Sequence, residues 1–228
     1  ESLHQNCRFE SAIGTVPPKG RLALSFDDGP DPVATPHILE VLGKHHAPAT
    51  FFMIGEQAQR HPDLVAQVRA HGEHLIGNHT WSHPNFHEIS LPEQSEEIQK
   101  AQALLTPNPE GRWYRYPYGN STCDGNALLH LLDYRIVGWH IDSCDWAFDR
   151  NGEVDAQEAL ECGVLPQYRS NYVEHVVSAA RAHNGGIVLM HEIHPNTVRQ
   201  LDEVLTALES AGFVFVRLDE PAFEADMR

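Results

Sequence analysis

Apolar residues along this chain recur in two rhythms. Short dense runs such as Leu22-Ala23-Leu24 read as strands, while Ile38, Leu39, Val41 and Leu42 share one helical face between two such runs. Continued along the chain, the pattern predicts strands over residues 21–26, 49–54, 74–78, 113–115, 134–141, 187–190 and 213–218. Helices are predicted over 35–45, 62–71, 91–105, 126–132, 171–182 and 196–211. Pro62 suits the first turn of the second helix, and Gly72 its stop. Residues 1–18 lack periodicity and end in Pro17-Pro18, so they read as a lead-in on the surface. Residues 147–170 read as an elaborated loop.

Seven strands alternating with helices imply a parallel sheet. Closure into a barrel is the economical way to bury that many strands, so the expected fold is α/β, a (β/α)7 barrel. One globular domain is expected over residues 1–228, with its core in 21–218.

Polar residues gather just past the predicted strands. Asp27-Asp28, His79 with His83, Arg115, Asp142 with Asp145, and His191 each follow the C-terminal end of a different strand. In a parallel barrel those ends meet at one rim, where the active sites of such barrels lie. Two adjacent carboxylates at a strand end can divide labour, one holding a cation and the other moving a proton, and a metal relieves their repulsion.

Composition narrows the chemistry. With 32 acidic against 16 basic residues the net charge is -16, and no basic patch is visible, which argues against a nucleic-acid partner. No apolar run approaches the ~20 residues that span a bilayer. Cys7, Cys123, Cys144 and Cys162 form no CxxC pair, which argues against a zinc ribbon and leaves buried thiols or up to two disulfides in three pairings. A long loop inside a compact domain is usually functional or crosslinked, which favours Cys144 with Cys162. The polar opening ESLHQNC fits a cytosolic start or the mature end of a processed chain. An exported protein is the favoured expectation, and a monomer the expected state.

The 16 histidines make chance pairs at i, i+4 expected, and His83 with His87 is a second one beside His79 with His83. A four-residue spacing places both imidazoles on one face if the segment is a helical turn. With a carboxylate from another strand end it makes a His-His-Asp set, the pattern of catalytic zinc sites. A carboxylate such as Asp145 beside His191 would raise the imidazole's pKa and orient it as a proton donor. Arg115 could pair with Asp27 in the same way.

Taken in order, SFDDGP, HTWSHP, RYPYG, DSCDW and LMH resemble the polysaccharide deacetylases with the NodB homology domain, carbohydrate esterase family 4. The resemblance covers residues 21–218. It implies a distorted (β/α)7 barrel, with Asp27 as general base and Asp28, His79 and His83 as ligands of a metal, Zn²⁺ being the expected ion. It further implies that Arg115 tethers the base and that the Tyr118 backbone N–H helps bind the oxyanion. His191 corresponds to the general acid and Asp145 to its partner. Pro117 and Trp146 fall in the substrate groove, and Leu189 at the acetyl-methyl pocket. Ser25 stands where threonine is frequent, Glu192 where aspartate is usual, and residues 147–170 lie outside the family's core pattern.

The implied reaction is hydrolysis of an N-acetyl group from N-acetylglucosamine in a cell-wall polysaccharide. Peptidoglycan is the expected substrate, because the compact chain without a carbohydrate-binding appendage looks bacterial and periplasmic. Chitin oligomers and acetylated xylan are the alternatives. Two rivals come from other classes. A silent glycan-binding protein conflicts with the competent residue at every catalytic position. A metal-dependent phosphoesterase would want a second metal and basic clamps, and only Arg115 is available.

Overall fold

A computed structural model of the chain describes Cys7 and residues 16–227. Its elements are β1 (Arg21–Asp27), α1 (Ala34–Lys44), β2 (Ala49–Met53), α2 (Gly55–Arg60), α3 (Pro62–Ala70), β3 (Leu75–Asn78), α4 (Leu91–Leu105) and β4 (Trp113–Tyr114). They continue with α5 (Cys123–Leu131), β5 (Arg135–Ile136), β6 (Ile141–Asp142), α6 (Asp145–Asn151), α7 (Ala156–Cys162), α8 (Tyr172–His183), β7 (Gly186–His191), α9 (Pro195–Ser210) and β8 (Val214–Phe215).

All eight strands belong to one sheet whose ladders are parallel, in the order β5-β4-β3-β2-β1-β7-β6. Strand β8 pairs with the first two residues of β1, below the point where β2 begins. The two edge strands, β5 and β6, are separated by only four residues, 137–140. A flat sheet of seven strands would set its edges roughly 29 Å apart at ~4.8 Å per strand. The five peptide steps between Ile136 and Ile141 can span at most about 18 Å. The sheet therefore curls, and a stretch of chain rather than a ladder bridges its edges.

This corrects the single strand expected over residues 134–141. The carbonyls of Val137 and Gly138 accept from the Arg115 side chain instead of from a neighbouring strand, and the segment splits into β5 and β6. The last expected strand, 213–218, shortens to two residues. Helix α2 was not expected: in GEQAQR only Gly55 and Ala58 are buried, so it carries no apolar stripe. The expected loop 147–170 contains most of α6 and all of α7, the latter with a capping box between Asp155 and Glu158.

Strand β1 shows why the barrel has this interior. Its residues from Leu22 to Asp27 are buried, and they alternate. Leu22, Leu24 and Phe26 join the core under the helices, whereas Ala23 joins the cluster of Phe52, Trp113 and Ile187 inside the barrel. Ser25 and Asp27 continue the inner face, so small and polar residues leave room for one large cation there. Gly77 serves the same purpose, because a Cβ would lie 2.4 Å from the Phe52 ring.

Candidate active site

The C-terminal ends of β1, β3, β4, β6 and β7 face the same rim, as parallel strands require. Asp28 leaves β1 with φ 79, a left-handed conformation that turns its side chain away from the direction of Asp27. Gly29 allows the close packing that follows, since a Cβ would overlap Oε1 of Glu192. Burial pushes the Glu192 carboxyl up to about 8, while Thr35 Oγ1 donates to it at 3.1 Å.

Beyond β3 the chain does not form the helical turn that the His79–His83 spacing suggested. Thr80 and His83 both have positive φ, 72 and 62. Asn78 Oδ1 accepts from Thr80 N, and Thr80 Oγ1 accepts from His83 N. Glu97 of α4 accepts from Trp81 N and Ser82 N, and the N-terminus of α2 donates to the carbonyls of Thr80 and Trp81. These bonds bring the two rings to a centroid separation of 4.9 Å. The other histidine at that spacing, His87, points elsewhere and donates from Nε2 to Ser121 O.

Asp28, His79 and His83 offer ligand atoms that all lie within 4.8 Å of one another. Asp28 Oδ1 is 3.4 Å from His79 Nε2 and 3.3 Å from His83 Nε2. His79 Nδ1 lies 2.7 Å from Arg115 O. A carbonyl only accepts, so Nδ1 carries the proton and the neutral ring turns its Nε2 lone pair towards Asp28. Burial holds the His83 pKa down to about 4, with His79 adding to the effect, so this ring too presents a lone pair. Asp28 Oδ1 is buried and finds no hydrogen-bond donor of proper geometry. Three lone-pair donors converging in a buried space are relieved by one positive charge at their centre, a proton on His79 or a metal ion. The residues present therefore fit a divalent metal with two imidazoles and one carboxylate.

The neighbouring carboxylate, Asp27, is held differently. Arg115 Nη1 donates to its Oδ1 at 2.8 Å and also to Ser25 Oγ, while Nε and Nη2 donate to Val137 O and Gly138 O. With Oδ1 committed, Asp27 Oδ2 faces the metal-ligand group, 3.7 Å from His79 Nε2.

On the next side, His191 Nδ1 lies 2.8 Å from Asp145 Oδ1. Burial of His191 opposes its charged form, yet the charge and hydrogen bond of Asp145 outweigh it and raise the pKa to about 10. Cys144, in a left-handed conformation and bonded to Cys162, sets the start of α6 at Asp145. Cys7 is bonded to Cys123.

One cavity of about 490 Å³ is lined by Asp27, Asp28, His79 and His83 together with Tyr118, Trp146, Leu189 and His191. Arg115 and Asp145 stand buried behind it, and Pro117 is buried beside Tyr118. Tyr118 is 63% exposed and meets the His83 ring edge-on at 4.8 Å. Sequence reasoning missed Tyr116, Trp139, Glu161 and His194 in the lining and gave Asp142 no role there. Burial raises the Asp142 carboxyl to about 6 against the Cys144 N–H that it accepts. Trp139 sits in the bridge between β5 and β6, and Glu161 on α7, where no periodic pattern marks a direction. A second group, His71, Glu73 and His74, has its donors equally close. There Ala49 N donates to His74 Nδ1, which leaves the proton of the neutral ring on Nε2, so that nitrogen cannot ligate.

The family model described as polysaccharide deacetylase matches residues 14–137. The chain belongs to the polysaccharide deacetylase family. Among relatives of this deacetylase-family chain, the peptidoglycan-N-acetylglucosamine deacetylase PgdA of Listeria monocytogenes is 34% identical over 203 residues. That match covers 88% of this chain but 38% of PgdA, so the chain spans well under half of the relative's length. A chitooligosaccharide deacetylase of Sinorhizobium fredii is 32% identical, covering 91% of this chain and 96% of that one. Among solved structures, the Bc1960 peptidoglycan N-acetylglucosamine deacetylase superposes with a TM-score of 0.71 at 28% identity, covering 92% and 91% of the two chains. The NodB-type distorted (β/α)7 barrel of the family is the architecture described above, with seven strands in the curled path and β8 appended.

Proposed function

We propose that this protein hydrolyses the N-acetyl group of N-acetylglucosamine residues in a cell-wall polysaccharide, with peptidoglycan as the favoured substrate, releasing acetate and a free amine. The observation that carries the reading is the presence, in one cavity, of a tethered carboxylate, a metal-ligand group and a carboxylate-paired imidazole. The names of the Listeria and Sinorhizobium relatives support peptidoglycan and chitin oligomers respectively as the glycan.

Asp28, His79 and His83 would hold a divalent ion, Zn²⁺ in our reading, which when bound supplies Lewis-acid polarisation of the acetyl carbonyl and lowers the pKa of water. Asp27, held in place by Arg115 through Oδ1, takes the proton of the attacking water on Oδ2. As the new C–O bond forms, the Tyr118 backbone N–H helps to bind the negative oxygen. His191, with Nδ1 committed to Asp145, delivers a proton from Nε2 to the sugar nitrogen as the C–N bond breaks. An amide nitrogen leaves as an amine only when protonated, so the raised His191 pKa serves this step. Trp146 flanks the sugar, and Leu189, on the inner face of β7, receives the acetyl methyl group. Pro117, expected in the groove, is buried and absent from the cavity lining, and acts only by supporting Tyr118.

Two disulfides favour an oxidising compartment and hence an exported protein. No helix among the described residues is long and apolar enough to cross a membrane. We take the protein to act as a monomer.

The test is to load the purified protein with Zn²⁺ and incubate it with peptidoglycan fragments, chitin oligomers and acetylated xylan, reading acetyl loss by mass spectrometry beside Asp27→Asn. Acetyl loss from an N-acetylated glycan in the unaltered protein alone is expected. Loss from xylan only, or from none of the three, would overturn the reading.

A further inference from the structure

Asp145 has more partners than a simple pair with His191 requires. Its carboxylate is wholly buried and stands opposite four donors. Oδ1 accepts from Trp146 N at 2.9 Å and is paired with His191 Nδ1, while Oδ2 accepts from His191 N at 2.7 Å and from Thr197 Oγ1 at 2.5 Å. Three of these donors belong to the paired histidine or to the residue after the aspartate. The fourth comes from elsewhere: Thr197 lies in the first turn of α9, six residues past His191, and has no exposed surface.

We infer that Thr197 is a positioning residue for the acid pair. A carboxylate can turn about its Cβ–Cγ bond, and a bond to one oxygen alone does not stop it. Backbone donors fix Oδ1 and half of Oδ2, and the Thr197 hydroxyl closes the remaining freedom, so that Oδ1 stays in line with His191 Nδ1. The buried Tyr172 phenol of α8 lies near Thr197 and Ser143 but makes no hydrogen bond of proper geometry to either. Helix α9 thus reaches the imidazole through Asp145 without touching substrate. Partners one step removed from a functional group commonly change activity by about 10- to 100-fold when removed, and that range is expected here.

The inference rests on the proposed role of His191, so its test needs a reading that does not depend on turnover. Thr197→Val removes the hydroxyl at nearly constant volume, Thr197→Ala covers the case in which valine does not fit, and Thr197→Ser keeps the donor. The low-field proton resonance of His191 Nδ1–H is expected to move upfield in the valine and alanine variants and to stay near its original position in the serine variant. With an N-acetylated glycan, kcat is expected to fall about 10- to 100-fold at unchanged KM in the first two and to recover in the third. If the unaltered protein deacetylates nothing, the proposed function fails while the resonance still decides the role of Thr197. A resonance unmoved in valine and alanine variants, a change in KM without a change in kcat, or failure of both variants to fold would overturn the inference.

Discussion

Arg115 and Asp27 meet inside the barrel with 2.8 Å between Nη1 and Oδ1, and their side chains are 1% and 4% exposed. The guanidinium also lies over the Phe52 ring at 4.3 Å and satisfies two carbonyls in the bridge between the sheet's edges. One residue thereby joins the carboxylate proposed as the base to the closure of the fold.

Replacing Arg115 by Leu should therefore harm stability and activity together. Breaking a buried pair from one side leaves an uncompensated charge and costs about 3–5 kcal/mol. Urea denaturation of Arg115→Leu should show a loss of that order, with turnover abolished. Stability within about 0.5 kcal/mol of the unaltered protein would contradict the assigned role.

The acid pair makes a prediction in pH. His191 is protonated below about 10 because the Asp145 charge outweighs the burial that opposes it. Its folded pKa stands above the unfolded value of 6.5, so the pair's contribution to stability is complete below 6.5 and lost as pH rises towards 10. In Asp145→Asn burial is left to dominate, and the His191 pKa should fall. The alkaline limb of kcat should then move to lower pH, and the stability gap between the two metal-free proteins should narrow from pH 6.5 to 10. A limb that stays in place would remove His191 from the acid role.

The two adjacent aspartates should separate binding from chemistry. Asp27→Asn is expected to bind Zn²⁺ with nearly unchanged affinity in calorimetry and to lose turnover by at least about 100-fold, the scale of general-base catalysis. His79→Ala should lose affinity and turnover together, and chelation followed by Zn²⁺ addition should abolish and then restore activity in the unaltered protein. Equal metal affinity in the unaltered and His79→Ala proteins would reassign the ligands.

The Cys144–Cys162 bond closes a sequence separation of 18 residues and ends one position before Asp145. Loop closure of about 15 residues contributes roughly 3 kcal/mol in the chain-entropy account. Replacing both cysteines by Ala should lower stability by that order and reduce kcat by loosening the start of α6. An unchanged kcat with lowered stability would make the crosslink purely structural.

Strand β1 was legible because its information is local. Alternation alone sends Leu22, Leu24 and Phe26 one way and Ala23, Ser25 and Asp27 the other, and parallel strands bring polar ends to one rim. Helix α4 was equally legible: its observed span, Leu91–Leu105, is the predicted 91–105, closed at its start by Ser90 and Glu93. Helix α2 escaped because its contacts are capping bonds to the histidine loop rather than an apolar face.

Periodicity and the order of motifs thus determined the class of fold, the family and the residues that face the rim, since each depends on neighbours in the chain. Tertiary structure alone decided the split of residues 134–141 into two edge strands, which hydrogen bonds from Arg115 impose across the barrel. It alone decided which lone pairs meet at Asp28, through the Arg115 carbonyl that selects the His79 tautomer. The place of Thr197 behind Asp145 belongs with these, because 52 residues separate the partners. A hydrogen bond between distant segments depends on where packing sets two backbones, and no local pattern of apolar and polar residues encodes that distance.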